Sequence, residues 1–534
     1  MKPQQELVWQ YMRLRPTPWI LLSNTGALTE SHSSFSAADF PDLKQASQAA
    51  QTPSSQFSSS HWHYLNHIRH FQHNQPARPL VELFGAGYQD YLQNPLQPLA
   101  DNLESITYEV FEKDPIKYEW YERAITAALQ DWTTSKKSGS GSNGRIVCAV
   151  TGAGRGPLVT RALEASRKTG IDIDMWAVEK NPNAYVLLQR HNATTWQNRV
   201  SLVQSDMRTW TGPQDPPSSS STSTPTPYKI DILISELLGS LADNELSPEC
   251  IDGVQHLLNP TAGISIPSSY TAHISPISAP KIHADILARS AAGDTEAFSV
   301  PYVTMLHAID FLSARPPLAQ PRAARGMGME MPGLRSGCGG GMPDIPLQPV
   351  IREAWEFAHP IPTSNLLPPA ARNPTASGNE HNSRAARLEF ACRHRGVCHG
   401  LAGYFETVLY DPASVLGVSD DVDGSLPIPS SGSSPGKPKV ELSTNPLSMD
   451  LKSRDMISWF PMFLPLRSPL YFPDECVLVV HMWRRTEGRS VWYEWCVESF
   501  KVERSRSGKG GGNAKRVRLG ASEVVSSKGS ACLM

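Results

Sequence analysis

The sequence has almost no net charge, few cysteines and no long apolar run. Its 49 basic residues nearly balance 51 acidic residues, which leaves a net charge of −2. Without an overall positive field, direct binding to nucleic acid is not expected, and a cationic substrate has to be held by local carboxylates. The eight cysteines follow no regular spacing, which is typical of a reducing compartment. No stretch approaches the ~20 apolar residues of a membrane span, and residues 1–23 contain no run of signal-peptide length. We therefore expect a soluble protein of the cytoplasm and nucleus.

The length of 534 residues predicts two to four domains, and the pattern of apolar segments changes along the chain. Between residues 101 and 262, strand-like segments alternate with helical ones, which predicts an α/β domain with a doubly wound parallel sheet. From 263 to 520, short β-type segments separated by proline and glycine turns predict a β-barrel or sandwich, followed by a tail at 521–534. Segments poor in large apolar residues predict disordered inserts near 313–346 and 418–440.

A pair of glutamates lies in the loop that follows the apolar segment 230–234. Glu236 and Glu245 stand nine positions apart, directly after this predicted strand. The carboxyl ends of parallel strands form the edge at which ligands bind in open α/β sheets. Two carboxylates can hold both sides of a planar cation, and a guanidinium has the fork geometry that fits them. The loop therefore points to arginine as a substrate, and nearby Glu249 is interpreted as a structural acid.

A glycine-rich turn follows a predicted strand at 146–150 and opens a predicted helix at 157–168. Glycines at such a turn let backbone N–H groups approach a ligand at a helix N-terminus, and a simple tight turn is the alternative. The spacing of Gly152, Gly154 and Gly156 differs from the G-x-G-x-x-G pattern of dinucleotide sites. A ligand without a pyrophosphate would call for such a different loop.

Acidic residues also follow the next two predicted strands. Glu179 comes after the strand at 173–178, where a carboxylate accepts hydrogen bonds from ribose hydroxyls in nucleotide-binding folds. Asp206 and Met207 follow the strand at 200–203, where a carboxylate can accept from an adenine amine while a thioether packs on the ring. For Glu179, a solvated carboxylate at the end of a strand is the alternative.

Longer segments carry a resemblance to a known family. They are Tyr108–Tyr118, Gly152–Leu158, Val178–Ala184 and Ser235–Gly253. These segments resemble the type II protein arginine N-methyltransferases, the Shk/Janus-kinase-binding protein family, which make symmetric dimethylarginine. The similarity covers residues 61–285, 299–312, 399–410 and 456–500. The resemblance implies a Rossmann-like methyltransferase domain that uses S-adenosyl-L-methionine, followed by a β-barrel or sandwich for substrate binding and oligomerisation.

The resemblance also implies roles for individual residues. Glu236 and Glu245 match the catalytic glutamate pair of the family. The positions that match its cofactor-contacting residues are Tyr108, Lys117, Tyr118, Gly152, Gly154, Glu179, Asp206 and Met207. Phe111 matches the phenylalanine that is linked in this family to the symmetric product, and Ser458 and Trp459 match a loop that closes over the substrate arginine. The rings of Phe111 and Trp459 would then flank a guanidinium with π faces, whereas without the resemblance they would be taken as ordinary core.

The activity implied by the resemblance is transfer of methyl groups to arginines in histone tails and Gly/Arg-rich spliceosomal proteins. The products would be monomethyl- and symmetric dimethylarginine, and the enzyme would be a homo-oligomer. The alternative is a catalytically weak or inactive scaffold that binds cell-cycle kinases. No metal is expected, because Cys392, His394, Cys398 and His399 lack the ligand spacing of structural zinc sites.

The N-terminal region departs from the family pattern. Family members carry a complete TIM barrel of ~250 residues ahead of the methyltransferase domain. Residues 1–100 resemble only its closing strand–helix units, with one strand predicted at 79–84, and are interpreted as a partial TIM-barrel remnant. In animal relatives the barrel binds a WD-repeat propeller, so the remnant puts that partner in doubt.

Overall fold

A computed structural model describes residues 80–135, 137–141, 143–214, 228–315, 348–361, 379–415, 438–503 and 515–534. Most of the predicted TIM-barrel remnant, residues 1–79, lies outside the described residues. The same holds for most of the two inserts predicted near 313–346 and 418–440, whose described edges contribute to short strands.

Three helices precede the first sheet in the described part of the chain. They are α1 (Leu80–Phe84), α2 (Ser105–Glu112) and α3 (Pro115–Thr134). The strand predicted at 79–84 is wrong, because residues 80–84 form α1. Leucine and glutamate favour a helix, and Gly85 closes its last turn by donating its N–H to the Val81 carbonyl at 2.8 Å.

The α/β layer is built on a five-stranded parallel sheet, as the sequence predicts. Its strands are β1 (Ile146–Thr151), β2 (Ile173–Glu179), β3 (Val200–Gln204), β4 (Ile232–Ile234) and β5 (Ile264–Ile266). They lie in the order β3-β2-β1-β4-β5 and all pair in parallel. The connecting helices are α4 (Pro157–Thr169), α5 (Pro182–Thr194) and α6 (Ser247–Gln255). The order reverses between β1 and β4, which opens a crevice at their carboxyl ends.

The remaining chain is β-rich, which confirms the second half of the predicted fold class. One antiparallel sheet has the order β11-β6-β13-β15-β7, with β14 beside β13 and β8 beside β6. Its strands are β6 (Ser269–Ser278), β7 (Tyr302–Val303), β8 (Asp310–Phe311), β11 (Arg352–Ala358), β13 (Gly396–Tyr410), β14 (Val440–Ser443) and β15 (Met462–Phe472). A separate short pair joins β9 (Ala314–Arg315) to β10 (Gln348–Pro349).

A second large antiparallel sheet has the order β12-β16-β17-β18. These strands are β12 (Arg384–Cys392), β16 (Cys476–Glu487), β17 (Ser490–Glu503) and β18 (Lys515–Ala521). The segment predicted as a tail, 521–534, contributes β19 (Val525–Ser526) and β20 (Cys532–Leu533), which both pair with β17. Further helices are α7 (Pro280–Ala291), α8 (Pro412–Val415) and α9 (Met449–Lys452). None of the helices in the described ranges is long and apolar enough to cross a membrane.

The loop after β4 is packed between the parallel sheet and the β-rich region. Its buried Leu238 and Leu241 belong to the same apolar core as Phe405 of β13, Met462 of β15 and Trp495 of β17. Burying side chains of this size stabilises the native state by about 1.5–3 kcal/mol each. The loop that carries the two glutamates is therefore held by both halves of the described chain.

Candidate active site

A cavity of about 280 Å³ lies at the crevice between the carboxyl ends of β1 and β4. Every site residue selected from the sequence lines it: Tyr108, Phe111, Lys117, Tyr118, Gly152, Gly154, Glu179, Asp206, Met207, Glu236, Glu245, Ser458 and Trp459. These residues come from segments up to 351 positions apart, so their convergence is a property of the fold. Their individual roles remain predictions.

The glycine turn brings the backbone to the edge of the cavity. Gly152 and Gly154 have φ angles of 73° and 54°, in the left-handed region that glycine adopts readily. A Cβ on Gly152 would lie 2.9 Å from the Leu237 side chain, and one on Gly154 would lie 3.1 Å from the ring of Tyr108. Glycine is therefore required at both positions by backbone angle and by space.

Glu179 is fixed against this turn at the end of β2. One carboxylate oxygen accepts from the N–H of Gly154 at 2.7 Å, and the other accepts from the N–H of Asn181 at 2.7 Å. Burial raises the pKa of Glu179, although these two backbone hydrogen bonds act in the opposite direction. Because each oxygen has a second lone pair, the carboxylate can still accept a hydrogen bond from a ligand.

Asp206 follows β3 and borders the same cavity. Burial acts to raise its pKa, but the hydrogen bonds from Arg208 outweigh burial and lower it. Arg208 Nη2 and Nε contact the carboxylate oxygens at 2.7 Å and 3.0 Å, and the Arg208 N–H donates to it at 2.9 Å. Asp206 is therefore an anchored anion, and Met207 beside it is buried.

Lys117 provides a cation within the glutamate pair. Its ammonium group lies 3.1 Å from Glu236 Oε2, and only 2% of its surface is exposed. Burial acts to lower the pKa of Lys117, but the charge and hydrogen bond of Glu236, with the charges of Tyr118 and Asp114, together outweigh burial and raise the pKa. The other oxygen of Glu236 accepts from the N–H of Leu238 at 3.2 Å. Glu236 is thus anchored on both oxygens.

Glu245 is the more isolated member of the pair. Burial raises its pKa well above the usual range, repulsion from Glu236 raises it further, and Lys117 acts in the opposite direction. A buried carboxyl group beside another carboxylate holds its proton strongly. A second cation entering the cavity would favour the ionised form.

Aromatic rings surround the Lys117 ammonium group. It lies 4.9 Å from the ring centroids of Tyr118 and Trp459 and 5.3 Å from that of Phe111. These distances fall within the ~6 Å range of cation–π attraction. The Trp459 indole N–H donates to the Leu238 carbonyl at 2.6 Å, which ties this ring to the glutamate loop. The cavity therefore favours cations by charge and by π faces.

The glutamate loop adopts a strained backbone that the β-rich region holds in place. Ala242 and Leu246 flank a short 3₁₀ turn, Asp243–Glu245, and both have a φ of 67°. Such angles in residues other than glycine cost of order 1–3 kcal/mol and persist where the surroundings fix them. Here the fixing contacts are made to Asp243.

Arg484 of β16 makes the main contact, and no pattern in the sequence predicts it. Its side chain is fully buried, with Nε 2.6 Å from Asp243 Oδ2. Nη1 and Nη2 bond the two oxygens of Glu249 at 2.8 and 2.9 Å, which supports the prediction that Glu249 is structural. Tyr493 and Trp355 also donate to Asp243, at 2.7 and 3.0 Å. Arg484 and Asp243 are 241 positions apart, so no local pattern links them.

Within the described ranges, no group of three or more His, Cys, Asp or Glu residues is arranged to hold a metal ion.

Comparison with known proteins places these features in a family. Residues 80–266 match the family described as PRMT5 arginine-N-methyltransferase, and residues 269–534 match the PRMT5 oligomerisation domain. The protein arginine N-methyltransferase skb1 of Schizosaccharomyces pombe is 39% identical over 461 residues, which cover 86% of this chain and 58% of that protein. The protein arginine N-methyltransferase 5 of Xenopus laevis is 36% identical over 420 residues, which cover 78% of this chain and 51% of that protein.

Among solved structures, the protein arginine methyltransferase 10 of Arabidopsis thaliana aligns with a TM-score of 0.48 and 11% identity, over 79% of this chain and 98% of that one. This chain spans about half the length of the curated relatives it matches. The two family matches adjoin and together cover nearly all of the described residues. The chain belongs to the PRMT5 family of arginine N-methyltransferases.

Proposed function

We propose that this protein transfers methyl groups from S-adenosyl-L-methionine to the guanidino nitrogens of arginine in proteins. The observation that carries the proposal is the convergence of Glu236 and Glu245 on one cavity that also contains the glycine turn and Glu179. A guanidinium fits paired carboxylates, and a nucleoside fits a glycine turn with an acid at the next strand end. The family matches support the same activity.

The chain's residues fit S-adenosyl-L-methionine. Any side chain at Gly152 would meet Leu237, and any at Gly154 would approach Tyr108, so glycine lets the turn pack closely against two residues that line the cavity. We propose that Glu179 accepts from the ribose hydroxyls, and that Asp206 and Met207 contact the adenine. Tyr108, Lys117, Tyr118 and the N–H groups of the turn would complete this cofactor site. When bound, the cofactor supplies an electrophilic methyl group on a sulfonium.

The glutamates would orient the arginine and receive its proton. Arginine is protonated at neutral pH, and a protonated guanidinium is a poor nucleophile. Glu236 and Glu245 would hold its N–H groups and draw positive charge away from the attacking nitrogen. Alignment of that nitrogen with the methyl group is a main contribution to the rate of an in-line displacement. Glu245, whose pKa is raised by burial, is suited to take the proton that the guanidinium releases.

We further propose that the product is monomethyl- and then symmetric dimethylarginine. The support is the match of Phe111 to the family position linked to the symmetric product, together with its place in the cavity, where its ring centroid lies 5.3 Å from the Lys117 ammonium group. Phe111 and Trp459 would flank the guanidinium, and Ser458 would contribute to the same wall. The proposed substrates are arginines in histone tails and in Gly/Arg-rich spliceosomal proteins.

The assembly and location are proposed as well. The match of residues 269–534 to an oligomerisation domain supports a homo-oligomer. We propose that the protein acts in the cytoplasm and nucleus, and that residues 101–262 and 263–520 act as its methyltransferase and β domains. A WD-repeat partner would depend on the N-terminal region, which lies outside the described residues.

The test is transfer of a labelled methyl group from S-adenosyl-L-methionine to a Gly/Arg-rich peptide and to a histone tail. We expect mono- and symmetric dimethylarginine in hydrolysates analysed by mass spectrometry. Glu236→Gln keeps the shape of the side chain but removes its charge, so it should abolish transfer while the affinity for S-adenosylhomocysteine stays within about threefold of wild type. Wild-type turnover in this variant would contradict the proposal that Glu236 and Glu245 together hold the guanidinium as a clamp.

The second candidate is a scaffold that binds cell-cycle kinases without catalysis. It would retain the fold but incorporate no methyl label from either peptide. The ion pair of buried Lys117 with Glu236, and the position of Glu245 beside it in the same cavity, favour the enzyme, because a scaffold has no need for like charges in a cavity. If the wild-type protein incorporates the methyl label and Glu236→Gln at the same protein concentration does not, the scaffold is excluded.

A further inference from the structure

Asp114 makes an unusual set of contacts next to the candidate active site. It lies in the turn between α2 and α3, and only 1% of its surface is exposed. Its Oδ1 accepts from the N–H groups of Ile116 and Lys117 at 2.8 and 3.1 Å. Asp114 is thus the N-cap of α3, the helix whose first turn carries Lys117 and Tyr118.

The second oxygen of Asp114 binds a distant loop. Its Oδ2 accepts from the N–H groups of Ile457 and Ser458 at 3.0 and 2.7 Å. The next residue, Trp459, has a φ of 65°, a conformation that a bulky residue adopts only where its surroundings hold it. A helix cap needs only one acceptor oxygen, so capping does not account for the second pair of bonds.

The loop places one wall of the cavity. The Trp459 ring lies over the Lys117 ammonium group and donates to Leu238, two residues after Glu236. The Asp114 carboxylate therefore joins the start of the helix on the cofactor side to the loop on the arginine side. Charge-assisted hydrogen bonds to backbone N–H groups are stronger than neutral ones, so a buried carboxylate is well suited to this task.

We propose that Asp114 is a positioning residue for arginine binding, which holds the loop 457–459 over the glutamate clamp. This inference rests on the proposed function. It assigns to Asp114 a role beyond the helix cap and predicts that the two oxygens have separable effects. Oδ1 supports α3, and Oδ2 supports the affinity for the peptide arginine.

The two roles can be separated by substitution. In Asp114→Ser the hydroxyl can still cap α3, because serine is a favoured N-cap, but it cannot also reach the loop. Asp114→Asn keeps the volume of the side chain and one acceptor oxygen. When that oxygen caps α3, the NH₂ group faces the N–H groups of Ile457 and Ser458 and cannot accept from them. Asp294→Ser is the matched control, because the exposed Asp294 carboxylate accepts a hydrogen bond from the local N–H of Glu296 at 3.1 Å, and within the described residues it binds no distant segment.

Three measurements on the full chain test the proposal. Hydrogen–deuterium exchange follows the amides of residues 457–458 and of 116–117. Isothermal titration gives the affinity for S-adenosylhomocysteine. Fluorescence anisotropy of a labelled Gly/Arg-rich peptide, with S-adenosylhomocysteine present, gives the peptide affinity without requiring turnover. Loss of two hydrogen bonds worth a factor of about three each predicts an approximately tenfold weaker peptide affinity.

In Asp114→Ser and Asp114→Asn we expect faster exchange at 457–458, unchanged exchange at 116–117, and cofactor-product affinity within about twofold of wild type. Asp294→Ser should match wild type in all three measurements. Unchanged peptide affinity, or an equal loss of peptide and cofactor-product affinity, would overturn the positioning role. A wild-type protein that binds the peptide but transfers no methyl group would overturn the proposed function and leave the result for Asp114 to be decided by affinity alone.

Discussion

Among single residues, Glu245 is the one whose titration should control the reaction. Its pKa is raised well above the usual range by burial and by Glu236. It has to be ionised to hold the guanidinium and accept a proton, so activity should rise with pH through its pKa. Binding of the cationic arginine favours the ionised form and lowers that pKa in the complex.

The expected result is an acidic limb of kcat/KM that lies at higher pH than the acidic limb of kcat. The first limb reports the free enzyme and the second reports the complex with substrate. Rates measured over the pH range with a peptide whose only titrating group is arginine provide the test. Coincident limbs in the range of an ordinary glutamate, near ~4.3, would show that Glu245 is not perturbed in this way.

Phe111 allows a second prediction at the residue scale. Its ring lies 6.4 Å from that of Tyr108 in an edge-to-face arrangement and lines the cavity. Methionine is slimmer and more flexible, so Phe111→Met should let a methylated guanidinium turn in the site and yield asymmetric as well as symmetric dimethylarginine. Mass spectrometry of the products gives the ratio. Phe390→Met, in the core of the β-rich region, should leave the product unchanged, and a purely symmetric product from Phe111→Met would remove Phe111 from this role.

At the scale of elements, the sequence predicts the strands, helices and turns that depend on local residue patterns. The strands β1 to β4, the helices α4 and α5 and the glycine turn follow from apolar periodicity and from glycine and proline positions. The segment 79–84 is predicted as a strand although residues 80–84 form a helix, because a short apolar run does not distinguish strand from helix. Its outcome depended on Gly85 and on the lack of a neighbouring strand in the described residues.

The backbone conformation of the glutamate loop could not be predicted from the sequence. Glu236 and Glu245 were visible as acids after a strand, but the 3₁₀ turn at Asp243–Glu245 and its positive φ angles depend on Arg484, Tyr493 and Trp355. Asp114 is an intermediate case. The Asp-Pro pair at 114–115 is a readable helix start, whereas its bonds to residues more than 340 positions away are not.

At the scale of the whole molecule, the site exists only where the parallel sheet and the β-rich region meet. Asp243 and Glu249 come from the loop and helix after β4, and Arg484 comes from β16. The three side chains are almost completely buried, so their charges are strongly coupled and depend on one another. This buried triad of Arg484, Asp243 and Glu249 ties the glutamate loop to the β-rich region, so the position of β16 determines that of Glu245, two residues after Asp243.

Arg484→Met should therefore lower both stability and activity. Removing the cation leaves two buried carboxylates without a positive charge to balance them, which costs about 3–5 kcal/mol. Chemical denaturation monitored by fluorescence gives the free energy of unfolding. Arg516→Met is the control, because Arg516 of β18 also pairs with a carboxylate, Glu389 of β12, but is 45% exposed, and an exposed pair contributes about 0–1 kcal/mol. An equal, small loss in both variants would contradict the role assigned to the triad.

A triple variant separates stability from positioning. When Asp243→Asn and Glu249→Gln are added to Arg484→Met, no buried charge is left unpaired, so part of the lost unfolding free energy should return. Activity should not return. The Arg484 guanidinium that held the 3₁₀ turn is absent, so Glu245 is no longer held at its place in the cavity. Recovery of methyl transfer together with stability would mean that the triad only stabilises the fold. Recovery of stability alone would show that the β-rich region places the Glu245 carboxylate for the proposed reaction.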